Sequence, residues 1–132
     1  MKMDFYRSKY PTFPDKSIPC PKYEHNKANG LTAAIVDYVN LLGGFASRIS
    51  STGLYREGIG WTKSNTRKGI SDIIAVYSGK AYAIEVKIGK DRQSEDQRSF
   101  EVDWERAGGL YIIAKSFDDF YEDFNNSLNI KK

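Results

Sequence analysis

The sequence predicts an α/β domain, a single layered architecture of helices against a sheet, and three observations carry that expectation. A stretch rich in Ile, Val, Ala and Tyr, Lys68 to Lys87, is broken once at Ser78-Gly79, as a β-hairpin would be. Three segments place apolar residues at the i, i+3, i+4 spacing of a half-buried helix, each behind a Ser or Asn residue. Read in order, the elements run α-β-loop-β-β-α-β-α, with no internal repeat.

All four prolines (Pro11, Pro14, Pro19 and Pro21) fall near the start, interleaved with Lys, Tyr and Phe, so residues 1–27 read as an extended arm and 28–132 as the folded domain. Whether the arm folds over the domain, contacts a partner or is disordered stays open at this point. Asn29 reads as the N-cap of the first helix, whose stripe is Leu31, Ala34, Ile35, Tyr38, Val39 and Leu42 and which Gly43-Gly44 ends. "FASRIS", Phe45 to Ser50, alternates as a strand does. "STGLYREGIGWTKSNTRKG" has no sustained period; either a short hairpin hides in it or it is a functional loop. Its Arg56, Lys63, Arg67 and Lys68, mixed with Tyr55 and Trp61, suit contact with phosphates and unstacked bases, and equally suit a solvated loop. After the hairpin, the polar turn "IGKDRQ" leads to Ser94-x-x-Gln97, a capping box opening a helix with Phe100, Trp104 and Ala107 on one face and Gly108-Gly109 at its end. "LYIIA", Leu110 to Ala114, is apolar throughout and reads as a central strand. Ser116 starts a last helix with Phe117, Phe120, Tyr121 and Phe124 on its buried stripe.

At 132 residues one core is expected, burying roughly two thirds of the unfolded surface, with no disulfide or metal staple needed to fold. Cys20 stands alone, no signal-peptide core opens the sequence, and nowhere do about 18 apolar residues run together; an intracellular, cytoplasmic protein with no membrane span is expected. The net charge of +3 is uneven: residues 1–70 carry 11 Lys and Arg against 5 Asp and Glu. That basic excess is a weak pointer to nucleic acid. The lone His25 has no partner His or Cys for a zinc site.

The hairpin raises a question of charge. With a two-residue loop at Ser78-Gly79, Tyr77 opposes Lys80 and Asp72 opposes Glu85, on one face, with Cβ atoms roughly 4.5–5.5 Å apart. Like charges so placed are destabilising, and a shifted register, a shared proton, a neighbouring Lys or a bound cation would relieve them. Lys87, two residues past Glu85, points to the same face.

Gly69-x-x-Asp72, then Glu85-x-Lys87, then Gln97 near the start of the next helix, resembles the PD-(D/E)XK nuclease superfamily. More narrowly, residues 29 to 124 resemble the virus-type replication-repair nuclease (VRR-NUC) domain, including its small stand-alone phage and bacterial members. The resemblance implies a restriction-endonuclease-like mixed sheet flanked by helices, with an α-β-β-β-α-β core. It also implies cleavage of DNA phosphodiesters, structure-specific for branched, junction or flap DNA, with Mg²⁺ or Mn²⁺ as cofactor, and a homodimer. Asp72, Glu85, Lys87 and Gln97 become the catalytic set, with Asp72, Glu85 and the Val86 carbonyl as metal ligands. Such a donor set suits a hard cation that keeps several waters. Arg48, Arg56, Lys63, Arg67, Lys68 and Lys90 are the expected DNA contacts. Many relatives carry a Glu near the start of the first helix, where this chain has Ala28 and Asn29; Asn29 is an outer-shell ligand or only a cap, and Glu24 reaches the metal only if the helix begins earlier. A non-catalytic nucleic-acid-binding module on the same fold, or an assembly or anti-host factor with purely structural hairpin charges, are the other readings.

Overall fold

The computed structural model describes residues 23–24, 26–49, 54–62 and 67–129. The prolines and Cys20 of the expected arm, His25, Ser50 and Lys63 lie outside the described residues.

Helix α1 spans Ala28–Leu41 and is followed by strand β1, Phe45–Arg48. A short ribbon follows, β2 Leu54–Arg56 and β3 Gly60–Thr62, then β4 Ile73–Tyr77, β5 Lys80–Val86, α2 Glu95–Arg106, β6 Leu110–Ala114 and α3 Phe117–Leu128. The four-stranded sheet runs β1-β4-β5-β6; β1–β4 and β4–β5 pair antiparallel, and β5–β6 pair parallel across the α2 connection. The architecture is therefore the α/β class expected, a mixed sheet flanked by helices.

The β4–β5 register is the one read from the turn, Tyr77 against Lys80 through Ile73 against Ile84. Ser78 and Gly79 both take positive φ, as a two-residue hairpin loop requires. Alternation then sorts the side chains. Ile73 and Ala75 of β4, Tyr82, Ile84 and Val86 of β5, and Ile112 and Ala114 of β6 join Leu31, Ile35 and Val39 of α1 and Phe120 and Phe124 of α3 in one core. Tyr82 donates from its hydroxyl to Ser127 Oγ at 2.7 Å, Ser127 in turn bonding the Phe124 carbonyl, and Lys80 Nζ donates to the Ser127 carbonyl at 2.7 Å; these contacts tie α3 to β5. The opposite face carries α2, whose Phe100 ring meets Tyr111 of β6 at 6.4 Å.

Helix ends follow the chemistry of their residues. Both α1 and α2 end in a Schellman turn: Gly44 N–H bonds the Val39 carbonyl and Gly43 N–H that of Asn40, while Gly109 and Gly108 repeat the pattern on Trp104 and Glu105. Gly43 and Gly108 hold the positive φ these turns need. Ser94 and Ser116 cap α2 and α3 as expected.

Four local expectations are corrected. The N-cap of α1 is Lys27, without a side-chain cap bond; Asn29 lies inside the first turn, where its side-chain oxygen accepts from Arg48 Nη2 at 2.6 Å. That long-range pairing outcompetes capping. Strand β6 is at the sheet edge rather than its centre; it is apolar throughout because α3 covers one face and α2 the other. Tyr121 of α3 is exposed because the helix turns it off the core. The first strand stops at Arg48. The period-free excursion does contain a hairpin, the β2–β3 ribbon. Of the arm's last residues, Tyr23 donates to Asp37 Oδ2 of α1 at 2.5 Å.

Phe124 is wholly buried and meets Tyr38, Tyr77, Tyr82 and Phe120, with centroids from 5.1 to 6.2 Å. Phe124→Ala should lower unfolding free energy by about 3–5 kcal/mol, measured by urea denaturation.

Candidate active site

Asp72 stands one residue ahead of β4, and its carbonyl accepts from Ile49 N–H at 2.8 Å, so the backbone there continues the β1–β4 pairing. Its carboxylate reaches across to β5, where Oδ2 accepts from the Val86 amide at 2.8 Å. Glu85, on the same face, is 2% exposed. Its Oε1 accepts from Gln97 Nε2 at 3.0 Å and lies 3.7 Å from Lys87 Nζ, whose side chain is 14% exposed. Its Oε2 is buried and receives no hydrogen bond. Leaving a carboxylate oxygen so placed is costly, and it is the one such side-chain atom among the described residues.

Gln97 does two things at once. Its side-chain oxygen accepts from Ser94 N–H at 2.8 Å while Ser94 Oγ accepts from Gln97 N–H, completing the capping box; its amide nitrogen holds Glu85. The N-terminus of α2 is thereby fastened to the middle of the charged cluster. Gly69 brings the other side in. It holds φ +80°, and a Cβ there would lie 2.4 Å from the Asp96 carbonyl carbon and oxygen, so only glycine lets the loop entering Asp72 press against the first turn of α2.

The electrostatics answer the question posed by the hairpin. The register is not shifted, and Lys87 is in place beside Glu85. Burial, followed by the neighbouring Asp72 carboxylate, pushes the Glu85 carboxyl up to about 8, with Lys87 pulling the other way. Metal-free Glu85 therefore keeps its proton at neutral pH. Tyr111, whose hydroxyl accepts from Gln93 Nε2 at 3.2 Å, is raised above the usual phenol range by burial first, with Glu85, Glu101 and Asp72 adding to it.

The described residues thus bring together Asp72, Glu85, Val86, Lys87 and Gln97, five positions marked in the sequence, and add Gly69 and Tyr111 around them. Gly69 was visible in the motif; its steric duty toward Asp96, a residue 27 positions away, was not. The expected DNA contacts are more dispersed. Arg67 pairs with Asp103 of α2 at 2.7 Å and stacks over Phe100, Lys68 pairs with Asp96 at 3.3 Å, and Arg48 is bonded to Asn29. Arg56 is exposed on the ribbon and Lys90 in the turn after Lys87. Asn29 lies beside Arg48 at this end of the sheet, and exposed Glu24 pairs with Lys27 at 3.0 Å rather than with the cluster.

The donor set fits a hard divalent cation. Two close carboxylates, one with an unbonded buried oxygen, are donors that an ion with few protein ligands takes. Among the described residues no group of three or more His, Cys, Asp or Glu gathers there or elsewhere. A cleft of about 320 Å³ lies at the other end of β5, lined by Lys80, Trp104, Gly108, Gly109 and Ser127, remote from these carboxylates. No helix is long and apolar enough to cross a membrane, among the described residues. The chain matches no family model and no curated protein.

Two outcomes follow from this geometry. Because Glu85 titrates near 8 in the folded protein against 4.5 for an exposed glutamate, the native state binds the extra proton between those limits. Stability of the metal-free protein is then fullest on the acid side and falls as pH rises through 8. Urea midpoints measured in chelator from about pH 5 to about pH 9 should show the fall, and Glu85→Gln should remove most of it, gaining about 1–3 kcal/mol at the alkaline end. Gly69→Ala, strained in backbone and pressed on Asp96, should cost about 2 kcal/mol or more in the same assay.

Proposed function

We propose that this chain is a Mg²⁺- or Mn²⁺-dependent deoxyribonuclease of the VRR-NUC kind, in the PD-(D/E)XK superfamily. It hydrolyses phosphodiester bonds of branched, junction or flap DNA in phage or mobile-element replication and repair. The observation that supports this most is the convergence of Asp72, Glu85 and Lys87 at one end of the hairpin, with a buried Glu85 oxygen left unbonded. The preference for branched DNA and action as a homodimer rest on the sequence resemblance, and the intracellular setting on the lone Cys20 and the absence of a signal-peptide core.

Asp72 and Glu85 would hold the ion, with the Val86 carbonyl as a third protein oxygen. When bound, a divalent ion supplies neutralisation of phosphate charge and acidification of a coordinated water. The remaining work falls to the chain. Gln97 fixes one Glu85 oxygen and leaves the other available, and the Val86 amide fixes one Asp72 oxygen in the same way. Lys87 keeps its ammonium beside the carboxylates in a largely buried place, where a positive charge acts strongly on the extra negative charge of a phosphoryl transition state and orients the attacking water. Water oxygen forms the new bond to phosphorus as the leaving P–O bond breaks, with no covalent link to the protein.

A second reading, a nucleic-acid-binding module without catalysis, has one observation in its favour: near the first-helix position where the resemblance implies a Glu, this chain has Ala28 and Asn29, and Asn29 is committed to Arg48.

Labelled junction, flap, duplex and single-stranded DNA incubated with Mg²⁺ or Mn²⁺ should be cut by the wild-type protein. Glu85→Ala and Lys87→Ala should each lower the rate by roughly 10²-fold or more while DNA binding persists. DNA binding that falls steeply with salt, without cutting in either metal, would select the binding module instead.

A further inference from the structure

We propose that the β2–β3 ribbon is a stacking platform for unpaired bases, with Tyr55 and Trp61 as the stacking rings and Arg56 as the phosphate contact beside them. The inference rests on the DNA-directed reading of the chain and names the part of the substrate the ribbon takes: a single-stranded segment next to the site of cutting.

The three most exposed large apolar side chains among the described residues all belong to this ribbon: Trp61 at 73%, Ile59 at 71% and Tyr55 at 63%. Tyr55 and Trp61 are register partners, so both rings stand on one face of the ribbon, and they meet edge to face with centroids 5.7 Å apart. In that arrangement the edge of one ring meets one face of the other, which leaves the remaining π-surface open to a third ring. The other described aromatic contacts lie among α1, α3 and the β4–β5 hairpin, or among α2 and β6. The turn is built to hold the shape: Ile59 N–H bonds the Arg56 carbonyl, and Gly58 and Gly60 take positive φ.

Charge selects the occupant. Between residues 48 and 68 the sequence carries Arg48, Arg56, Lys63, Arg67 and Lys68 against Glu57; Arg67 and Lys68 are paired with Asp103 and Asp96 of α2, and the remaining excess is complementary to a polyphosphate strand. Stacked and paired bases of a duplex present no free faces to an aromatic ring, whereas unpaired bases do. Position agrees with this. The excursion leaves the sheet at Ile49, bonded to Asp72, and returns through Arg67 to Asp72 itself, so both of its roots are at the carboxylate end. Tyr55 is six residues from Ile49, which limits its distance from that root to roughly 20 Å.

The test uses the full chain in chelator, where cutting is suspended, with a fluorescent oligothymidine and fluorescence anisotropy at low salt. Tyr55→Ala and Trp61→Ala should each weaken binding roughly 5- to 100-fold, the loss of one stacked base, with duplex binding unchanged and Trp61→Phe retaining most of the affinity. Wild-type protein should lose a similar factor on a strand whose central bases are replaced by abasic sugars, a measurement that needs no variant to fold. The platform is overturned if the alanine variants and the abasic strand bind as tightly as the reference, if duplex binding falls equally, or if the wild-type protein binds no single strand. Base-dependent single-strand binding by a protein that never cuts DNA supports the platform and removes the nuclease reading.

Discussion

Burying one carboxylate at the end of β5 is the constraint on which the surrounding structure depends. An ionised Glu85 in that place needs donors, and the fold supplies them to one oxygen only, from Gln97 and, more loosely, Lys87. A second carboxylate, Asp72, is set beside it by strand pairing rather than kept away. Folding for stability alone would avoid this: two carboxyl groups across a hairpin, one of them dry, cannot both ionise cheaply, and Glu85 holds its proton until something positive joins them. Local conflict of that kind, inside a chain whose helices, caps and turns otherwise agree with each other, is what a functional site looks like in physical terms.

The rest of the architecture can be understood as support for that spot. The β4–β5 hairpin brings Asp72 and Glu85 into register, the parallel β5–β6 pair places α2 over the second face, and the capping box turns the first residues of α2 toward Glu85. On the far side of the sheet, α1 and α3 form an aromatic and aliphatic layer. Stability and chemistry are divided between the two faces of one sheet, as alternation along each strand permits.

How much of this the sequence disclosed depends on how local the determinants are. The hairpin register followed from a two-residue turn and arithmetic along two adjacent strands, and the capping box followed from residues three apart; both are as read. The carboxylate, lysine and glutamine positions were legible for the same reason. Features set by distant partners were not. Asn29 has the chemistry of a cap, yet Arg48, 19 residues later, claims its oxygen. The apolar run of β6 suggested a strand flanked by others, because covering by helices and covering by strands leave the same mark on composition. Arg67 and Lys68 read as free cations in a loop, and their pairing with Asp103 and Asp96 depends on how α2 docks. The ribbon hid because each of its strands is only three residues long.

The contact of Gly69 with Asp96 has a mechanical consequence. With no side chain between them, the backbone leading into Asp72 and the first turn of α2 meet as a stiff joint, reinforced by the Lys68–Asp96 and Arg67–Asp103 pairs. Asp72 and Gln97 therefore stand on the two sides of one joint, and any displacement of α2 against that loop alters the surroundings of both carboxyl groups at once.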